Sequence, residues 1–100
     1  MGACMFHTTG YGKTVREAYN DARDEASFEN GHQDGYSGDI QTCHDGYALV
    51  DLKPGDDVDD VYEAIGEGDA YNGKYFKKWG KCAAIDNGNG TFDFIGWGAC

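Results

Sequence analysis

Three groups of residues in this chain have types and spacings that chemistry could use. The first is Gly12-Lys13-Thr14. It stands between a strand-like stretch and a helix-like one, where a phosphate-binding loop places its Gly-Lys-Thr. The full pattern needs a glycine five residues before Gly12, and position 7 is His. No later strand stands out as the one that would bring an aspartate to magnesium, and the chain is short for such a fold. Glycines that turn the chain and a Thr14 that caps a helix account for the motif without a nucleotide.

The second group is the metal-ligand set: His7, His32, His44, Cys4, Cys43, Cys82 and Cys100. Structural zinc sites pair their ligands closely, as in Cys-x2-Cys. Here only Cys43-His44 is tight, and adjacent residues of a strand point to opposite faces. The same geometry argues against Cys43 as a nucleophile activated by His44. Asp86-Asn87-Gly88-Asn89-Gly90 has glycine at the third and fifth positions of a would-be calcium loop, where oxygen ligands belong, so it reads as a hairpin turn. No Gly-x-Ser-x-Gly occurs. No metal, no cofactor and no catalytic residue is expected. The four dispersed cysteines read as reduced, mostly buried thiols of a cytosolic protein, with a single disulfide as the alternative.

The third group is acidic. Asp51, Asp56, Asp57, Asp59, Asp60, Glu63, Glu67 and Asp69 lie within nineteen residues that hold one base, Lys53. Lys74 to Lys81 then carries four lysines and no acid, interleaved with Tyr75, Phe76 and Trp79. The whole chain has a net charge of −10. That argues against direct contact with nucleic acid or an anionic membrane, both of which need basic surface. It favours encounter with a basic partner. A solvated helix face with N-terminal aspartates is the plainer account of the same acids.

The elements that must position these residues are legible in outline. One hundred residues make one domain, and 40% apolar content supplies a core. No run is long and apolar enough for a membrane span. The N-terminus lacks the basic and apolar regions of a secretory signal. Residues 3–9 read as a strand between Gly2 and Gly10. Thr14 to Gly31 is the clearest helix. Val15, Ala18, Tyr19, Ala22 and Ala26 form a narrow, mostly alanine stripe, Thr14 and Glu17 form a capping box, and Asn30-Gly31 stops it. Such small side chains let a helix lie close to a sheet.

Residues 32–39 read as a polar loop and 39–43 as a second strand. Asp45-Gly46 is a hairpin signal before a third strand at 47–52. A second helix starts at Asp56 or Asp57 and ends at Gly66-Glu67-Gly68, with Val58, Val61, Tyr62 and Ile65 facing inward. Residues 69–80 fit more than one structure, one of them a helical turn of Tyr75, Phe76 and Trp79 packed on the sheet edge. Lys81–Asp86 and Thr91–Trp97 are strands four and five, joined at Asn89-Gly90. Phe92 and Phe94 alternate with Asp93, Ile95 and Trp97, so both faces of the last strand carry bulk.

The expected fold is α+β, with two layers and the order β-α-β-β-α-β-β. An antiparallel-rich sheet of about five strands is covered on one face by two helices. Val15, Tyr19 and Ala22 should meet Met5 or Phe6, Ile40, Leu49, and Phe92 or Phe94.

The segments GKTVREAYNDARDEASFENG, GYSGDI, KWGKCAAI and FDFIGW resemble small proteins encoded by bacteriophages and related mobile elements. That resemblance implies an inhibitor of host defence of the anti-CRISPR type. It carries over no functional residue. The combined expectation is a non-enzymatic, cytoplasmic protein that binds a basic nucleic-acid-binding host protein by nucleic-acid mimicry. Its contact residues are Asp56, Asp57, Asp59, Asp60, Glu63, Glu67 and Asp69. The alternative is a small ligand- or metal-binding module, monomeric or oligomeric.

Overall fold

The computed structural model describes residues 3–30, 40, 46–76 and 80–99, with the side chains of 3, 27–30 and 99 excepted. The described elements run β1 (Ala3–Tyr11), α1 (Val15–Asn30), β2 (Tyr47–Leu49), α2 (Val58–Gly66), β3 (Cys82–Asp86) and β4 (Thr91–Ala99). The fold is α+β. Among the described residues the mixed sheet has four strands, against about five expected, in the order β1-β4-β3-β2. β4 is antiparallel to both neighbours, while β2 runs parallel to β3.

β1 and α1 form where their local signals place them. Thr14 Oγ1 accepts from the Glu17 amide at 3.2 Å and approaches the Glu17 carboxylate at 3.5 Å. Ala18 and Ala22 are fully buried. The close approach is literal: a Cβ on Gly10 would lie 2.0 Å from the Ala18 carbonyl oxygen. Gly10 is therefore required for contact with α1, as the alanine stripe predicts for a helix lying on a sheet.

At its start α2 has a complete capping box. The Asp57 carboxylate accepts from the Asp60 amide at 3.2 Å, and the Asp60 carboxylate accepts from the Asp57 amide at 2.8 Å. At its end Asp69 N donates to Ala64 O and Gly68 N to Ile65 O, with Gly68 at φ +82. This is the paired-bond termination that a left-handed glycine permits.

The two helices lie on opposite faces of the sheet, so the structure has three layers rather than the expected two. One cluster joins Ala18, Tyr19 and Ala22 of α1 to Phe6, Ile40, Cys82, Ala84, Phe92 and Phe94. The other joins Val61 and Ile65 of α2 to Val50, Tyr71, Phe76, Ala83, Ile85 and Ile95. Successive residues of β3 and β4 alternate between them, which is why both faces of residues 91–97 carry bulk. The reason lies in the connections. The link from β1 to β2 crosses the sheet in one direction, and the link from β2 to β3 returns in the other. Crossovers of one hand that run in opposite directions put their helices on opposite faces.

Other expectations change with it. The strand expected at 39–43 lies outside the described residues except for Ile40, which is fully buried and belongs to no strand. The hairpin expected at Asp45-Gly46 likewise falls mostly outside them. β2 is shorter than 47–52, and it pairs in parallel with β3 because α2 intervenes. Leu49 is half exposed rather than under α1, and Met5 packs on the α2 side. The helical turn expected of Tyr75, Phe76 and Trp79 falls mostly outside the described residues, and just before it the chain makes a two-residue turn. Tyr71 and Lys74 exchange both backbone bonds around Asn72-Gly73, which adopt φ +52 and +74. Asn-Gly at two successive positive φ values suits this turn.

Candidate functional site

The acids named from the sequence lie on α2 and its flanks, and they divide by role. Asp59, Glu63, Glu67 and Asp69 are exposed. Opposite them, Val61 and Ile65 are buried against the sheet, so the outward face of α2 is acidic. Asp57 and Asp60 are exposed too, but their carboxylates close the capping box. Asp56 is half-buried and accepts from the Tyr71 hydroxyl at 3.0 Å. That hydroxyl also accepts from Lys53 N at 2.9 Å. Burial raises the Tyr71 phenol above its ordinary range; the Lys53 amide opposes this and the Asp56 carboxylate adds to it. Three of the seven acids thus have a structural task beside any binding role.

Tyr62 is not inward, contrary to the helical spacing. It is 38% exposed and lies beside His7 of β1, with ring centroids 6.4 Å apart. The short helix rests on the sheet through Val58, Val61 and Ile65, and Tyr62 falls at the margin of that stripe. The indole of Trp97 donates to the Ile65 carbonyl at 3.0 Å and ties the end of α2 to β4.

Next to Tyr62 is a polar cluster that the sequence reading did not single out. Asp93 is buried in the middle of β4. Its Oδ1 accepts from Thr9 Oγ1 at 2.7 Å and from His7 Nε2 at 3.1 Å, and its Oδ2 accepts from Asn87 Nδ2 at 2.9 Å. Burial would raise the Asp93 carboxyl, but the bonds from Thr9, Asn87 and His7 outweigh it and hold the group below its ordinary range. An acid at an inward position of an apolar strand is the signal that marked it, because a buried carboxylate needs donors. The Thr9 hydroxyl donates to Asp93 rather than to His7, so no hydroxyl–imidazole contact of the nucleophile–base type is made.

The remaining motifs take structural places. The Gly12 amide donates to the Gly90 carbonyl at 3.0 Å, and a Cβ on Gly12 would lie 2.7 Å from Ala18 N and from Glu17 Cβ. Its position beneath α1 explains the glycine before Lys13. Asp86 Oδ1 accepts from the Gly88 amide at 2.8 Å and stabilises the β3–β4 loop. Among the described residues, no group of three or more His, Cys, Asp or Glu is arranged to hold a metal ion.

Cysteine is a correction. Cys4 is disulfide-bonded rather than a reduced thiol, and its other half lies outside the described residues. Separation along the chain says nothing of distance between strands, so the spacing of the four cysteines did not reveal the bond. Cys82 is fully buried, as expected. Cys43 and Cys100 fall outside the described residues. None of the described helices is long and apolar enough to cross a membrane.

No protein-family model, curated protein or solved structure matches this chain.

Proposed function

We propose that this is a non-enzymatic binding protein whose acidic α2 face docks on a basic groove of a nucleic-acid-binding host protein and inhibits it by mimicry. The observation that carries this reading is the segregation on α2. Asp59 and Glu63 point to water from a helix whose opposite face is pinned to the sheet by Val61 and Ile65. Glu67 and Asp69 extend the same negative field past its end. Carboxylates held on a rigid scaffold offer lysine and arginine what phosphates offer them. The phage and anti-CRISPR resemblance belongs to this same reading.

Asp59→Asn, Glu63→Gln and Glu67→Gln form the informative variant, because none of these side chains closes the capping box. Its melting temperature should equal that of the parent. Its binding to a basic partner captured from host lysate should weaken, with a smaller salt dependence, because screening over about 10 Å at 0.1 M acts on fewer charges. Equal binding by the variant, or binding independent of salt, rules the reading out. The reading places the encounter in the host cytoplasm, which reduces disulfides. Binding should therefore persist in reductant.

A further inference from the structure

We infer that the outer edge of β1 takes up an extended, lysine- or arginine-bearing segment of the basic partner as a fifth strand. This rests on the proposed acidic binding role and names the kind of segment bound. β1 is the end strand of the sheet, and its nine residues pair one-to-one with β4 from Ala3↔Ala99 to Tyr11↔Thr91.

The direction of its free groups follows from one hydrogen bond. The Tyr11 amide donates to Asp21 Oδ2 at 3.0 Å instead of to β4, while the Gly12 amide donates inward to Gly90. Backbone groups alternate in an antiparallel ladder. The N–H and C=O of Met5, His7 and Thr9 therefore point away from β4. Among the described residues nothing pairs with them.

The opposite edge of the sheet is treated differently. The Lys74 ammonium donates to the Leu49 carbonyl at 2.9 Å, and the Asn72 side chain bonds Asp51 N at 2.6 Å and Asp51 O at 3.1 Å. β2 is also only three residues long. β1 carries none of the usual devices against edge pairing: no lysine, no proline and no bulge.

Charge selects the occupant. The Asp21 contact sets one side of α1 along the outer edge of β1. Glu17 and Glu25 lie one turn to either side of Asp21, and Asp24 three residues on. On the other face of the sheet, the Tyr62–His7 contact sets one side of α2 beside β1, with Asp59 and Glu63 next to Tyr62. The edge thus runs between two acidic helix flanks, with Lys13 the nearest base in sequence. A second copy of this chain would bring the same acids and be repelled. A basic segment would gain main-chain bonds from Met5, His7 and Thr9 and charge pairs from both flanks, the mode of strand addition.

The test uses the intact protein and two blocked seven-residue peptides. One alternates lysine with valine or threonine. The other has the same sequence with alternate amides N-methylated, which keeps the charge and removes the ladder. The first should slow hydrogen exchange at the Met5, His7 and Thr9 amides and leave Phe6 and Thr8, already bonded to β4, unchanged. The N-methylated peptide should bind about tenfold more weakly or worse. Equal affinity for the two without protection at those amides overturns the edge site and leaves the α2 reading standing. Failure of both peptides to bind also overturns it. So does a dimer in sedimentation whose β1 amides are protected without peptide, since a second copy then holds the edge.

Discussion

Asp93 shows how a single residue couples burial, hydrogen bonding and pH. Its carboxylate holds Thr9, His7 and Asn87 in place where β1, β4 and the β3–β4 loop meet. The folded protein keeps it ionised below the ordinary carboxyl value of 3.8, because three donors outweigh burial. A depressed folded value means the stabilisation is complete above the unfolded value and is lost as pH falls through the folded one. Asp93→Asn should cost about 1–3 kcal/mol at neutral pH in a urea titration. Below about pH 4 its stability should fall less steeply than that of the parent. A parallel decline in the two proteins would show that another carboxylate governs acid unfolding. In sequence, Asp93 looked like one polar residue of an alternating strand. Its partners were invisible because His7 and Thr9 are more than eighty residues away, brought opposite only by the register of β1 and β4.

Among the elements, α1 is the one whose local and tertiary demands agree most fully. Alanines at 18 and 22 face glycines at 10 and 12, so at that point the helix backbone lies directly against the strand end. Ala22→Asp would bury an unpaired charge there and should destabilise by several kcal/mol, read by denaturant midpoint. Gly10→Ala tests the same contact from the sheet side. Its new methyl meets backbone rather than a movable side chain, so α1 must shift, at a cost of about 1–3 kcal/mol. A loss under about 0.5 kcal/mol in either variant would mean that the contact is looser than described. α2 is more nearly self-sufficient at its ends, through the Asp57–Asp60 box and the Gly68 termination. Asp57→Ala should cost about 0.5–2 kcal/mol through the lost cap.

For the whole molecule, the disulfide at Cys4 and the paired helix layers act on the same sheet. Cys4 lies near the start of β1, whose outer edge faces no described strand, so the bond constrains an end of the fold that the ladder holds from one side only. Reduction should lower stability by about 2–4 kcal/mol, measured as a drop in melting temperature with reductant and none with chelator. An unchanged melting temperature would leave the ladder with β4 as the sufficient anchor. Much of the architecture was legible along the chain. The boundaries of both helices, the strands at each end, the Asp-rich cap and the alanine stripe are set by neighbours within four residues, where spacing and capping decide the outcome. The exposed acids of α2 followed from that same periodicity. What required the folded chain involves residues far apart in sequence. These are the parallel pairing of β2 with β3, the separation of the helices onto two faces, the bond at Cys4, the outward position of Tyr62 and an outer edge of β1 that pairs with no described strand. Each depends on which strands become neighbours and in what direction the chain returns. Crossover direction and strand register leave no imprint on local residue spacing, so tertiary structure alone decided them.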